Sequence, residues 1–256
     1  MRNNDIYMDF SFGGKRLSDF NGWVHTTNSP FTMPLLPNQE LKSETIPSIG
    51  EVFVGKTLGA RRWSLDIFFD NILDQREIAN WLMLMTEMES EFYFVGDSVK
   101  INCLCESTDD LEIYAEGDVF MGQFTISFVA YDPYYYPIDN KTLEFTTFSQ
   151  EIVFNNDGNR ESFPVLEFDL NGLQNVKFKL NGVLLEVSEA QDKLVLDSVY
   201  HTCKDINSNI RKNIVSNGGS KAQFFYNLTL KPKQNKFQLI NGSVRKLTIH
   251  PNSRYI

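Results

Sequence analysis

The residues that spell out a chemistry most directly are Gly50-Glu51-Val52-Phe53-Val54-Gly55-Lys56-Thr57, which fit the phosphate-loop pattern GxxxxGK[ST] at every fixed position. Phosphate binding needs a buried strand before that loop and a helix starting at the lysine, so that backbone N–H groups face the anion. The neighbouring residues oppose this. Pro47 stands just ahead of the motif, and its four variable positions are bulky strand formers. The next element, Trp63, Leu65, Ile67 and Phe69, alternates as a strand does. Asp70, the apparent carboxylate partner, follows too soon to leave room for a crossover helix. The spacing predicts a hairpin.

Other reactive groupings are incomplete. Asn155-Asn156-Asp157-Gly158-Asn159 resembles the start of a calcium loop, but Arg160 and Leu166 occupy the places where such a loop needs glycine and glutamate. Cys103-Leu104-Cys105 would put two thiols on one strand face, yet zinc needs two further ligands, and only Cys203 and the scattered His25, His201 and His250 remain. There is no GxSxG elbow and no HExxH helix. Asp109-Asp110 sits in a polar turn and reads as a solvated carboxylate pair. The expectation is no catalytic residue, no cofactor site and no metal site: not an enzyme.

The elements that would carry these residues are mostly strands. The chain has 256 residues, 42% hydrophobic and 22% charged, with 21 phenylalanines. That composition supports a large folded core. The net charge of −9, with no basic cluster larger than Arg61-Arg62 or Arg211-Lys212, disfavours a nucleic-acid reader. An acidic wall suits a passage that DNA crosses without adhering. No apolar signal core follows Met1-Arg2-Asn3-Asn4-Asp5, and no run of about 18 apolar residues exists to span a membrane. Three cysteines in a chain without an export signal read as reduced thiols.

Residues 5–12 alternate as a strand ending at Gly13-Gly14, and residues 28–49 carry Pro30, Pro34, Pro37 and Pro47, predicting an extended arm or irregular loop. One helix is predicted over 74–89, capped by Asp74 with Glu77 in capping-box position and an apolar stripe of Ile78, Trp81, Leu82, Met85 and Met88. Strands are expected at 91–95, 99–105, 111–116 and 119–131. Asp132-Pro133-Tyr134-Tyr135-Tyr136-Pro137 then marks a boundary. Beyond it the pattern predicts strands only, at 143–154, 163–170, 175–180, 183–188, 193–200, 222–231, 236–240 and 244–250. They are separated by Asn171-Gly172, Asn181-Gly182, Asn217-Gly218-Gly219 and Asn241-Gly242, read as hairpin turns. Many short strands at this spacing predict a sandwich.

Four segments in order resemble the distal tail protein family of long-tailed, non-contractile phages. The first is Phe10-Ser11-Phe12-Gly13-Gly14 through Leu17-Ser18-Asp19-Phe20-Asn21-Gly22, and the second Gly59-Ala60-Arg61-Arg62-Trp63-Ser64-Leu65. The third, Ala130-Tyr131-Asp132-Pro133-Tyr134-Tyr135-Tyr136, is similar to the family's DP[FY]xY closing signature. The fourth runs from Asn155–Gly158 and Pro164-Val165-Leu166-Glu167-Phe168 to Leu194-Val195-Leu196-Asp197 and Phe237-Gln238-Leu239-Ile240-Asn241-Gly242. Lys231-Pro232-Lys233-Gln234-Asn235 lacks the glycine the family places in that turn.

The resemblance implies a mainly β fold of two consecutive sandwich-like domains. These are a ring-forming belt domain over 1–137 with one packed helix, and a galectin-like sandwich over 138–256. It implies a structural virion protein of the phage tail tip, synthesised in the bacterial cytoplasm. Its subunits would form a hexameric ring joining the tail tube to the tail hub and to baseplate or receptor-binding proteins, with DNA only in transit. Phe31, Leu35 and Leu36, apolar residues in the proline-rich arm, are the expected oligomer contact. The alternative is a lectin-like module. That role needs an exposed aromatic platform, whereas Trp23, Trp63 and Trp81 all lie in the first half.

Overall fold

The computed structural model describes residues 8–25, 36–70, 75–84, 87–116, 119–205, 213–216 and 221–256. Its chain divides into two compact units, residues 1–135 (with Ile256) and 136–255. Both are built mainly from antiparallel strands.

The first unit contains β1 (Phe10–Phe12), β2 (Lys15–Arg16), β3 (Gly22–Val24), β4 (Gln39–Ile46), β5 (Gly50–Leu58), β6 (Arg61–Phe69), helix α1 (Gln75–Leu84), β7 (Ser90–Phe94), β8 (Val99–Thr108), β9 (Glu112–Glu116) and β10 (Val119–Ala130). Its main sheet runs β2-β1-β7-β8-β10-β6-β3, with β9 beside β10. On β6 the predicted alternation is realised: Trp63, Leu65, Ile67 and Phe69 are buried, while Arg62 and Ser64 face out.

Aromatic contacts show that this sheet curls. Three strand spacings separate β6 from β7, about 14 Å if the sheet were flat, yet the rings of Trp63 and Phe92 lie 5.3 Å apart. Phe10 and Phe128 meet edge to face at 5.9 Å, which also requires curvature. Helix α1 covers the core with Ile78, Trp81 and Leu82. The Trp81 indole N–H donates to the Phe12 carbonyl at 2.8 Å, so the helix is fixed to β1 by a buried hydrogen bond as well as by packing. The described helix runs to Leu84, against a predicted end at 89, and Met88 is 70% exposed instead of extending the apolar stripe. Asp74 and Met85 lie outside the described residues.

The second unit begins with a two-residue strand, β11 (Tyr136–Pro137), followed by β12 (Leu143–Phe145), β13 (Ile152–Asn156), β14 (Val165–Leu170), β15 (Gln174–Leu180), β16 (Val183–Ala190), β17 (Lys193–Asp197), β18 (Thr202–Asp205), β19 (Asn213–Ser216), helix α2 (Lys221–Asn227), β20 (Lys233–Asn241) and β21 (Val244–His250). Two five-stranded sheets, β12-β21-β14-β17-β18 and β13-β20-β15-β16-β19, share one core in which Phe168 and Phe178 pack at 5.3 Å. This is a β-sandwich.

Several sequence expectations need correction here. Residues 222–231 are not a strand: α2 occupies most of them, because burial falls on Phe224, Phe225 and Leu228, a helical spacing, while Tyr226 points out. The predicted strand 143–154 is two short strands, one in each sheet. Among the described Asn-Gly pairs, Asn181-Gly182 alone closes a two-residue hairpin, with φ of 51° and 86° and Leu180 paired to Val183. Asn171-Gly172 and Asn241-Gly242 instead carry the chain from one sheet to the other. A tight turn reverses the chain in either case, so the dipeptide does not reveal which sheet receives the next strand. Asn217-Gly218-Gly219 lies outside the described residues.

Candidate assembly surface

The phosphate-loop lookalike forms the strand β5. It pairs with β4 from Gln39↔Leu58 to Ile46↔Gly50, with a bulge after Lys42. Thus the stretch predicted as irregular arm becomes regular from Gln39, and Pro47 falls in the turn, where its missing N–H costs nothing. Lys56 Nζ donates to Gln39 Oε1 at 3.3 Å and Thr57 Oγ1 to Glu40 Oε2 at 3.3 Å. Both groups are thereby engaged across the strand pair, and β6 follows where a phosphate site needs a helix.

This hairpin is a separate two-stranded sheet, and every β4 residue is exposed. Cross-strand partners share a face, so the pairs Leu41↔Lys56 and Ser43↔Phe53 put Leu41, Phe53 and Lys56 on one side. Leu41 and Phe53 are 70% and 63% exposed, and the turn residue Ile49 is 71% exposed. Leu36, just before the hairpin, is 54% exposed. Phe31 and Leu35, the other two expected contact residues, lie outside the described residues.

Among the described residues, the first unit has, among others, two clefts. One, about 340 Å³, opens between α1 and the sheet and is lined mainly by apolar groups including Ile78, Leu82, Cys105 and Phe124, with Glu106 and Asp109 also in its wall. The other, about 240 Å³, is acidic and includes His25, Asp66, Asp109, Asp110 and Glu112. Hydrogen bonds from Tyr114 and Gln123 hold the Glu112 carboxyl below its ordinary range.

The remaining candidate groups have structural surroundings. Cys103 and Cys105 share the buried face of β8, where burial pushes both thiol pKa values up, that of Cys105 to about 11. Asn156, from the calcium-like segment, is buried: its Oδ1 accepts from Gly158 N at 3.3 Å and from Ser253 Oγ at 2.7 Å, while its Nδ2 donates to Ser162 Oγ at 3.1 Å. Its amide ties three segments together. Among the described residues, Thr142, His250 and Glu167 line up as hydroxyl, imidazole and carboxylate, with contacts of 3.3 and 3.4 Å. Lys193 also binds Glu167, and neither cleft includes these residues. Among the described residues no three His, Cys, Asp or Glu side chains are grouped to hold a metal ion.

Sequence reasoning missed an aromatic surface on the second unit. Tyr200 is 78% exposed and Tyr226 70% exposed, and between them the His201 ring stacks on Phe225 at 5.3 Å and meets Tyr226 edge-on at 5.6 Å. The sequence signal was a polar turn after β17, in which the Asp197 carboxylate accepts the Val199 and Tyr200 N–H groups.

The structure matches that of the Dit protein (gp19.1) of phage SPP1 over 97% of this chain and 99% of that chain, with a TM-score of 0.65 and 15% sequence identity. That protein is described as a paradigm of the hub adsorption apparatus in phages infecting Gram-positive bacteria. A chain of the phage P2 baseplate in its activated conformation with Ca matches over 95% of this chain and 98% of that chain, with a TM-score of 0.48 and 9% identity. No protein-family model and no curated protein sequence matches the chain.

Proposed function

We propose that this chain is a structural subunit of a phage tail tip, a distal tail protein whose copies close into a hexameric ring between the tail tube and the tail hub. The observation that carries this reading is the end-to-end match to SPP1 Dit, which spans both units. Fold alone is a weak warrant for function. Here it coincides with four family-like segments in sequence order and with an exposed apolar hairpin. In this reading residues 1–137 form the ring-building belt and residues 138–256 a galectin-like sandwich facing baseplate or receptor-binding proteins. The protein works through interfaces and not as an enzyme. Leu36 and the neighbouring Phe31 and Leu35 contribute to the contact between subunits, which in a ring is one heterologous patch repeated by rotation. The net charge of −9 suits a channel that passes DNA without retaining it. The subunit is made in the bacterial cytoplasm and resides in the virion. Immunogold labelling of virions with antibodies to this chain tests the proposal: gold at the tail end supports it, and gold on the capsid or none on the particle refutes it.

A second reading, saccharide recognition by the sandwich, draws on the exposed rings of Tyr200, His201 and Tyr226. Such rings can stack on sugar C–H faces without tryptophan. Glycan-array binding that disappears in Tyr226→Ala supports this reading, and an array without signal removes it.

A further inference from the structure

The β4–β5 hairpin and the α1 cleft each lack something that the other could supply. Two strands on their own are at best marginally stable in water, because a hairpin needs a third strand or a packed face to bury apolar surface. Among the described residues the hairpin face of Leu41, Phe53 and Lys56 meets neither of these conditions. Its free edges and apolar side chains invite pairing with another molecule. The cleft between α1 and the sheet has the complementary character: apolar walls from Ile78, Leu82 and Phe124, with the carboxylates of Glu106 and Asp109 beside them.

We infer that the hairpin of one copy docks in the α1 cleft of a second copy, placing Phe53 among Ile78, Leu82 and Phe124 and Lys56 against Asp109. The occupant is a second copy because the same chain carries both halves of the match: Leu41 and Phe53 with Lys56 on the hairpin face, and apolar walls beside Glu106 and Asp109 in the cleft, while Glu51, opposite Thr45 on that face, lies nearer the turn. Two different patches on one chain make a heterologous contact, the type that closes a ring instead of a two-fold dimer. This inference rests on the ring reading and adds which surfaces meet.

The test mixes two full-length variants, Phe53→Cys and Met83→Cys, under mild oxidation and resolves products without reductant. Met83 lies in the cleft wall and Phe53 on the hairpin, and both are exposed, so neither change disturbs the core. The native Cys103, Cys105 and Cys203 are buried and give little background. The expected result is a disulfide-linked dimer of the two variants, absent when Tyr131→Cys, another exposed site, replaces Met83→Cys. In parallel, Phe53→Asp raises the concentration for half-assembly at least tenfold while its melting curve at concentrations too low for assembly matches the parent's, and Lys56→Glu with Asp109→Lys together assemble better than either alone. Assembled particles that give no such cross-link overturn the docking inference and leave the ring reading standing. A chain that stays monomeric at every concentration overturns both.

Discussion

The guanidinium of Arg61 lies 4.8 Å from the centre of the Tyr135 ring, and its Nε donates to the Pro133 carbonyl at 2.7 Å. Arg61 opens β6 and is almost completely buried, while Pro133 and Tyr135 belong to the segment after β10. Two of the family-like segments therefore meet physically. Burial lowers the Arg61 pKa, and a cation in that position depends on its ring and carbonyl contacts.

Arg61→Lys therefore destabilises the first unit although charge is kept, because lysine cannot stack a planar group on Tyr135 while reaching Pro133. Leaving a buried carbonyl unmet costs about 1–3 kcal/mol. A lowered urea midpoint for Arg61→Lys checks this, and an unchanged midpoint contradicts it.

Gly158 packs against the backbone at Arg254. A Cβ there would lie 2.5 Å from the Arg254 carbonyl oxygen, and backbone cannot rotate away as a side chain can. Gly158→Ala should cost about 1–3 kcal/mol, the scale of an overpacked site. At Gly172, with φ +73° and nothing within 4 Å, alanine meets only conformational strain. Thermal melts of the two variants should rank Gly158→Ala as the more destabilised.

Burial raises the thiol pKa at both Cys103 and Cys105, and Cys203 is also buried. At pH 8 an aromatic disulfide reagent should label none of the three in the folded protein and all three in denaturant. Rapid labelling of the native chain would show that β8 does not shield its thiols.

The Glu167 carboxyl is held below its ordinary value near 4.5: burial works to raise it, but Lys193 and His250 outweigh that effect. A carboxyl whose folded pKa is depressed contributes stability above its unfolded pKa and loses it as pH falls through the folded value. Stability of the second unit should therefore decline on acidification below about pH 4.5, and Glu167→Gln should flatten that part of the profile. A Glu167→Gln curve parallel to the parent would exclude this pair as the source.

Much of the fold was legible in the sequence because side chains alternate in strands. Arg61–Phe69, Gln174–Leu180 and Val165–Leu170 show burial at every second residue, and their apolar pattern says so directly. The α2 segment misled because Phe224-Phe225-Tyr226 has strand-forming side chains, and only the surrounding core selects the helix. The phosphate-loop letters form strand β5, since bulky residues between the two glycines favour a strand. Contact at a distance was not legible. Nothing local in Arg61 announces Tyr135, and nothing in Phe53 or Tyr200 announces exposure, because both read as core residues until the packing is known.

The central claim, that this chain is built to assemble with itself, is tested most directly by native mass spectrometry of the purified full-length protein over a range of concentrations. The account predicts a dominant species of six copies that dissociates when Phe53 is replaced by Asp. A single-copy mass at every concentration, unchanged by that substitution, would contradict it.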